Sequence, residues 1–137
     1  MHQRLLVSGL AAVWAEENTR DSIFKAFKRK ETFATTGTRI AVRFFGGFNL
    51  SSIDLNSEML VSQAYQNGVT MGSDLMGDGD RAPEFIVWAQ RDKNGAPLQR
   101  VQIIKGWSDA SGRGHEKVFD VVCSDGLEVD PITNRCP

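Results

Sequence analysis

The residues best suited to binding an anion lie in the stretch Thr35-Thr36-Gly37, with Arg39 two positions further along the chain. Threonine hydroxyls and backbone N–H groups donate hydrogen bonds, and a guanidinium can bind phosphate or carboxylate through two bonds at once. The pattern therefore favours the wall of a pocket that holds an anionic group. A simpler interpretation stays open, in which these residues only end a strand and Gly37 permits a turn.

Glu16 is a further pocket candidate, although it is poorly placed for catalysis by two carboxylates. On a strand, the side chain of its neighbour Glu17 would point to the opposite face, away from a shared substrate. A carboxylate just before a helix can instead anchor that helix, or pair with a nearby cation such as Arg20. We therefore expect binding or anchoring from this residue rather than catalysis.

The acidic segment that contains Asp74, Asp78 and Asp80 resembles a calcium loop only in part. An EF-hand loop needs a closing bidentate glutamate, and Glu84 lies too few residues after Asp78 to supply it. His115 lies in a loop rich in Gly, Ser and Asp, without a histidine or cysteine partner at ligand spacing. We therefore predict an acidic turn, a surface histidine and no metal site in this chain.

Cys123 and Cys136 are the only cysteines, and the segment between them is rich in turn-forming residues. In an oxidising compartment they can pair with each other and fasten the C-terminal segment. In a reducing cytoplasm they would be two free thiols. We favour the disulfide, because little else in this segment would order it.

Composition and motifs exclude several classes of function. A net charge of −1 over 137 residues gives no electrostatic reason to expect nucleic acid or an anionic membrane as a partner. No apolar run is long enough to cross a bilayer, and residues 1–10, which we interpret as a strand or a ragged start, lack a signal-peptide cleavage site. The nucleophile-elbow, Walker A and dinucleotide-binding patterns are missing as well.

The elements that must position the candidate residues can be predicted from periodicity. The apolar run 10–15 predicts a buried strand, and Asn18 or Thr19 can cap a following helix, with Asp21 in its first turn. An extended run, 32–36, comes next. Strand, helix and strand in this order are typical of the last unit of an α/β barrel or parallel sheet.

Most of the remaining chain is predicted to be β. Ile40, Val42 and Phe44 alternate with Arg39, Ala41 and Arg43, as expected when one face of a strand is buried. Residues 57–67 predict a helix that ends at an Asn-Gly pair. Four further strands are predicted at 69–75, 85–89, 98–107 and 117–123, and Asn94-Gly95 predicts a turn between the second and third of them.

Five stretches together carry a resemblance to a known family: AVWAEENTR at 12–20, ATTGTR at 34–39, GVTMGSDL at 68–75, VQIIKGW at 101–107 and EKVFDV at 116–121. In this order they resemble the C-terminal portion of the bacterial domain-of-unknown-function family 3604. That family is similar in turn to PHP-type (polymerase and histidinol phosphatase) metal-dependent hydrolases. The resemblance covers most of the chain and implies that the catalytic half of the family lies upstream of Met1.

Taken with the resemblance, the patterns predict an α+β fold. Residues 1–37 are expected to be a strand-helix-strand remnant of the upstream catalytic α/β barrel domain. Residues 38–137 are expected to form a β-rich C-terminal domain with one inserted helix, on a mainly antiparallel, β-sandwich-like sheet of about five strands. We expect this sheet to be incomplete at the C-terminus, which would leave an open edge for pairing between chains.

The resemblance also sets the functional expectation. The chain would be a structural or pocket-wall part of a metal-dependent hydrolase, with no catalytic activity of its own. Glu16, Thr35, Thr36 and Arg39 would be its substrate-pocket residues, since the threonine stretch matches the end of a late barrel strand, where ligands collect. No cofactor is expected in this chain, and a divalent metal is implied only for the full-length family.

One alternative function and several partners follow from the same observations. The alternative is a free-standing β-sandwich binding module that uses the open sheet, or the surface around Trp88 and Trp107, for a protein partner or a glycan. The expected partners are the upstream catalytic domain or a second copy of the chain, joined through the open sheet edge. Because many members of the family are exported, we favour an exported or periplasmic location.

Overall fold

The computed structural model describes residues 9–137, and these combine two helices with seven strands in a mixed α+β fold. The chain divides into two compact units, one ending at Gly95 and the other comprising Ala96–Pro137. The elements in chain order are β1 (Leu10–Val13), α1 (Arg20–Lys28), β2 (Thr32–Thr35), β3 (Ala41–Gly47), α2 (Leu60–Asn67), β4 (Gly68–Thr70), β5 (Glu84–Gln90), β6 (Arg100–Ser108) and β7 (Gly114–Cys123). The strand predicted at the extreme N-terminus falls mainly on residues 1–8, which lie outside the described residues.

The first two strands form an antiparallel pair, with Val13 opposite Thr32. Helix α1 folds back between them, so that the Trp14 N–H donates to the carbonyl of Glu31 at 3.0 Å. The strands of an α/β barrel run parallel, and this pairing therefore corrects the expectation of a parallel barrel unit. Strand β1 is also less buried than the apolar run 10–15 predicts, since Leu10 is 44% exposed.

A three-stranded antiparallel sheet, in the order β4-β3-β5, carries the core of the first unit. The alternation predicted around Val42 and Phe44 falls on a strand, but the predicted buried face is wrong, because Val42 and Phe44 are half-buried and Phe45, on the opposite face, is buried. The buried residues gather at the second half of β3 and on the elements beside it. Phe45, which is 1% exposed, is the largest of them, and its burial contributes about 2–3 kcal/mol. The core residues are Phe45, Leu50, Ile53, Ala64 and Ile86, with Leu60 and Val61 packed against them.

The second unit is a long antiparallel hairpin. Strand β6 pairs with β7 from Arg100 opposite Cys123 to Ser108 opposite Gly114, with a register shift between Val101 and Gln102. The sequence predicts that β6 follows β5 across a tight turn, with both strands in one sheet of about five strands. The described strands instead form three sheets of two, three and two strands, so the single sandwich-like sheet is corrected.

A disulfide between Cys123 and Cys136 holds the C-terminal segment against the hairpin, with the two Cα atoms 5.8 Å apart. The carboxylate of Asp120, which is shielded from solvent, adds a second attachment. It accepts hydrogen bonds from the Cys136 N–H at 2.7 Å and from the Gln102 side chain at 2.5 Å. These bonds lower the pKa of Asp120 to about 2.

Element boundaries differ from the predicted ones where side chains form local turns. Helix α2 begins at Leu60 rather than at Ser57, whose hydroxyl accepts the N–H of Met59 in a tight turn. The predicted domain boundary after Gly37 stays a prediction. Residues on both sides of it share contacts in the first unit, for example the Trp14 indole N–H, which donates to the carbonyl of Val42 at 2.8 Å.

Within residues 9–137, neither helix has the length and apolar character needed to cross a bilayer.

Candidate functional site

The first unit contains a concave site of about 550 Å³, lined by the segments on either side of α1 and by β3, α2 and β4. Its wall combines aromatic, cationic and acidic side chains with a few small apolar ones. The lining residues are Trp14, Ala15, Glu16, Arg29, Glu31, Arg43, Val61, Tyr65 and Thr70. We call this site the arginine cavity, after the two guanidiniums that line it.

The turn that ends α1 places a carboxylate in the arginine cavity. Lys30 adopts a left-handed conformation (φ 60°), its N–H bonds to the carbonyl of Phe27, and the N–H of Glu31 bonds to the carbonyl of Ala26. This pair of bonds is a Schellman motif, which usually has glycine at the left-handed position. Gly72 makes room for the turn, because a Cβ atom there would lie 2.4 Å from the Cβ of Lys30.

Glu31 is the centre of the polar network in the cavity, and only 4% of it is exposed. Its Oε2 accepts two hydrogen bonds from Arg29, from Nε at 3.2 Å and from Nη2 at 3.0 Å. Its Oε1 accepts the phenolic hydroxyl of Tyr65 at 3.1 Å. A buried carboxylate is tolerated when it is paired and hydrogen-bonded in this way, so Glu31 joins the end of α1 to α2.

Glu16 joins the same network from the segment before α1. Its Oε2 accepts the Ser22 hydroxyl at 3.0 Å, and its Oε1 accepts Arg29 Nη2 at 3.0 Å. The side chain is 69% exposed, so this ion pair contributes little stability by itself. One guanidinium therefore bridges a buried carboxylate and an exposed one, and Glu16 pairs with Arg29 rather than with Arg20.

Arg43 forms the second cationic part of the wall. Its Cζ lies 3.7 Å from the ring centroid of Trp14, which is the geometry of a cation–π contact. Its Nη1 donates to the hydroxyl of Tyr65 at 3.0 Å. The guanidinium is thus held by two aromatic residues from distant parts of the chain.

Neighbouring groups shift the pKa values of three side chains in the cavity. Hydrogen bonds from its own backbone N–H and from Ser22, with the charge of Arg29, lower the pKa of Glu16. Burial, and then the neighbouring Glu31, raise the pKa of Tyr65. The hydrogen bond to Glu31 raises the pKa of Arg29. Each displacement is away from neutrality, which suits binding rather than proton transfer.

The structure brings only one of the four predicted pocket residues to this cavity. Glu16 lines it, whereas Thr35, Thr36 and Arg39 are not among its lining residues. Thr35 ends β2, and its Oγ1 is buried without a hydrogen-bond partner among residues 9–137. Arg39 is exposed, and its backbone N–H donates to the carboxylate of Asp92 at 2.9 Å. The anion-binding group expected from the threonine stretch is therefore not assembled with Glu16.

Sequence reasoning missed Arg29, Glu31, Arg43 and Tyr65. The alternation in the sequence places Arg43 on the outward side of a strand, and no motif in the sequence singles out Arg29. One signal could have been noticed: Glu31 follows the C-terminal end of a helix, where the dipole disfavours a carboxylate. A residue in such a position usually has a specific partner. Arg43 and Tyr65 carry no comparable signal, because their contacts join distant parts of the chain.

The other chemically suggestive residues have local structural roles. Asp78 pairs with Arg81 in the acidic turn. His115 lies at the start of β7, where its Nε2 is 2.7 Å from the carboxylate of Asp109. Among residues 9–137, no group of three or more His, Cys, Asp or Glu side chains could hold a metal ion. The cavity carboxylates do not fit a metal either, since Glu16 and Glu31 share Arg29 as their partner.

Comparison with known families confirms the resemblance to the domain-of-unknown-function family 3604. The family model described as "Protein of unknown function (DUF3604)" matches residues 1–137. The chain belongs to this family. No curated protein and no solved structure matches it.

Proposed function

We propose that this chain is the non-catalytic C-terminal portion of a metal-dependent hydrolase, and that the arginine cavity is a wall of its substrate pocket. In this proposal the catalytic metal and the groups that activate water belong to the rest of the protein. The upstream catalytic domain would then be the partner of the first unit. The resemblance to PHP-type hydrolases suggests the reaction class, and the cavity suggests the role of this chain.

The observation that carries the proposal is the state of the polar groups in the cavity. Glu16, Arg29 and Tyr65 have pKa values displaced away from neutrality, and they are held by hydrogen bonds to neighbouring residues. Groups of this kind hold a ligand in place without exchanging protons with it. Arg43, clamped between Trp14 and Tyr65, is the best placed to bind an anionic part of a substrate.

The test uses the protein with its upstream sequence included, and the hydrolysis of p-nitrophenyl phosphate with added Mn²⁺. Arg43→Met should raise KM by about tenfold or more, the effect of losing one hydrogen bond to a charged group, and leave kcat nearly unchanged. Arg91→Met removes the same charge from an exposed position and serves as the matched control. A fall of kcat to background in Arg43→Met, or no change in either constant, would contradict the pocket-wall role.

A second candidate function, a binding module, is supported by the exposure of one tryptophan. Trp107 on the hairpin is 42% exposed. Trp88 does not add to such a surface in the same way, because it is half-buried with its ring 6.2 Å from that of Trp14. If the chain binds a partner through aromatic residues, the hairpin is the surface to examine.

We also propose an exported location, supported by the disulfide between Cys123 and Cys136. Disulfides persist in oxidising compartments and are rare in the cytosol. Alkylation of thiols in freshly lysed producing cells would test this. Protected cysteines agree with export, whereas two alkylated cysteines in the native cell contradict it.

A further inference from the structure

One face of the hairpin alternates cationic and aromatic side chains. Because side chains alternate across a strand and opposed residues share a face, the register of β6 and β7 assigns this face. Its residues are Val101, Ile103, Lys105 and Trp107 from β6, and His115, Lys117, Phe119 and Val122 from β7. The observed ring contacts agree with the assignment, since Trp107 stacks on His115 with centroids 5.4 Å apart. We call it the lysine–aromatic face.

Two like charges lie directly opposite each other at the centre of this face. Lys105 pairs with Lys117 in the register, an arrangement that destabilises a hairpin in the absence of an anion. Each ammonium lies near an aromatic ring, at 5.3 Å from the centroid of Trp107 and 4.7 Å from that of Phe119. These contacts hold both charges on the same face.

The acidic residues of the two strands do not neutralise these lysines. Glu116 and Asp120 fall on the opposite face by register. Asp120 is in addition occupied by Arg100, Arg135 and the N–H of Cys136. Asp109, just beyond the end of β6, is bonded to His115 and Ser111, and within residues 9–137 neither lysine forms a salt bridge. The two lysines of the lysine–aromatic face are therefore complementary to an anion.

The residues beside the cation pair are aromatic and apolar. Trp107, in the row next to the lysines, is 42% exposed, and Val122, two rows from them on the other side, is 55% exposed. Successive side chains on the same face of a strand are two residues, or about 7 Å, apart. The Trp107–His115 pair therefore lies next to the lysines on one side, and the Ile103–Phe119 pair lies next to them on the other side. Exposed apolar groups beside charges mark a binding surface, here for an anion attached to a ring-shaped or apolar body.

We propose that the lysine–aromatic face binds an acidic polysaccharide, with a carboxylate between Lys105 and Lys117 and a sugar ring against Trp107. A second copy of the chain is disfavoured as the occupant, because it would oppose one lysine pair to another. An extended peptide binds through backbone hydrogen bonds at a sheet edge, whereas the cationic and aromatic groups of this site are side chains on the face of the hairpin. Nucleic acid binding relies on many phosphate contacts, and two lysines supply few. The proposal rests on the hairpin alone and is independent of the arginine cavity.

The test is affinity electrophoresis of the whole chain through gels that contain polygalacturonate, with neutral dextran as the comparison polymer. The parent chain should be retarded by polygalacturonate and not by dextran. Lys117→Gln should weaken retardation about two- to fivefold, the range for an exposed ion pair, and Trp107→Ala about fivefold. Lys93→Gln removes one exposed lysine outside the hairpin and should behave like the parent chain.

Fold integrity is checked by circular dichroism and by the intact disulfide, so that loss of binding is not confused with unfolding. The proposal is overturned if the parent chain is not retarded, or if Lys93→Gln and Lys117→Gln weaken retardation equally. Equal binding to polyglutamate, to oligothymidylate or to vesicles of phosphatidylserine also overturns it, since each result would show attraction to charge without recognition of a sugar. If Arg43→Met leaves hydrolysis unchanged, the electrophoresis result still stands. Arg43 belongs to the first unit, whereas Lys117 and Trp107 belong to the second.

Discussion

Replacing Glu31 with alanine should destabilise the first unit by about 3 kcal/mol. Three hydrogen bonds are lost, two from Arg29 and one from Tyr65. Each contributes about 1 kcal/mol net, and bonds to a charged group contribute more. The full penalty of a broken buried ion pair, about 3–5 kcal/mol, is not expected, because the side chain of Arg29 is 40% exposed and can be hydrated again.

Two related substitutions divide this value into its parts. Tyr65→Phe removes the bond to Glu31 and the more exposed bond from Arg43, and should cost about 1–2 kcal/mol. Glu31→Gln keeps one acceptor but loses the charge, and its loss of stability should lie between those of Glu31→Ala and Tyr65→Phe. In the double-mutant cycle of Glu31→Ala and Tyr65→Phe, we expect a coupling of about 1 kcal/mol, because both changes remove the same bond.

The assay is urea unfolding followed by tryptophan fluorescence in a Trp107→Phe background. In that background only Trp14 and Trp88 report, and both lie in the unit that ends at Gly95. A free energy of unfolding for Glu31→Ala within about 0.5 kcal/mol of the parent, the usual range for surface substitutions, would refute the idea that Glu31 is the centre of the network. Equal effects of Glu31→Ala and Tyr65→Phe would refute the contribution of Arg29.

Three further predictions concern the turn, the acid response and the disulfide. Lys30→Gly should raise the free energy of unfolding by about 0.5–1 kcal/mol in urea titrations, because glycine adopts the left-handed conformation without strain; unchanged or lower stability would contradict the Schellman motif. The pKa of Asp120 is about 2, below its ordinary 3.8, so its ionised form stabilises the hairpin above about pH 4 and this contribution is lost as the pH falls towards 2. Circular dichroism should follow the transition, and Asp120→Asn, already destabilised at pH 7, should lose less stability over that range; equal losses in both proteins would contradict the assignment. Replacing Cys123 and Cys136 with serine should lower the stability of the second unit by about 3 kcal/mol for a sequence separation of 13, and thermal unfolding of the parent with and without reductant should reproduce the difference.

Local signals in the sequence predicted most of the elements. Thr19 caps α1 as expected, with its hydroxyl accepting the N–H of Ser22, and Asp21 lies in the first turn. Apolar alternation located β3, and the run at 85–89 located β5. These signals depend on a few neighbouring residues, so they can be recognised without knowledge of the fold.

Strand pairing could not be predicted in the same way. The order strand, helix, strand suits parallel and antiparallel pairs alike, and the antiparallel outcome depends on the tight turn through Lys30 and Glu31. The Asn94-Gly95 pair predicted a turn, but it did not indicate that the next strand would pair with β7 rather than with β5. Pairing is decided by contacts between residues that are far apart in sequence.

The candidate site illustrates the same limit. Glu16 was recognised because it lies next to a helix start, and it does line the arginine cavity. Arg43 and Tyr65 lie on different elements, 22 residues apart, and meet only in the folded unit. The threonine stretch, which was the strongest chemical pattern in the sequence, lies outside the cavity lining.

The most direct test of the central claim is the turnover of phosphomonoesters and phosphodiesters by the isolated chain, with Mn²⁺, Zn²⁺ or Mg²⁺ added. We expect rates equal to those of buffer with metal alone, because in the proposed function the cavity only holds a ligand, and residues 9–137 contain no group of three or more side chains that could hold a metal ion. Under the proposed function, a longer protein that carries the catalytic metal site should hydrolyse the same substrates under the same conditions. Metal-dependent turnover by the isolated chain, abolished by substitutions at Glu16 or Glu31, would contradict the proposal that this chain is non-catalytic.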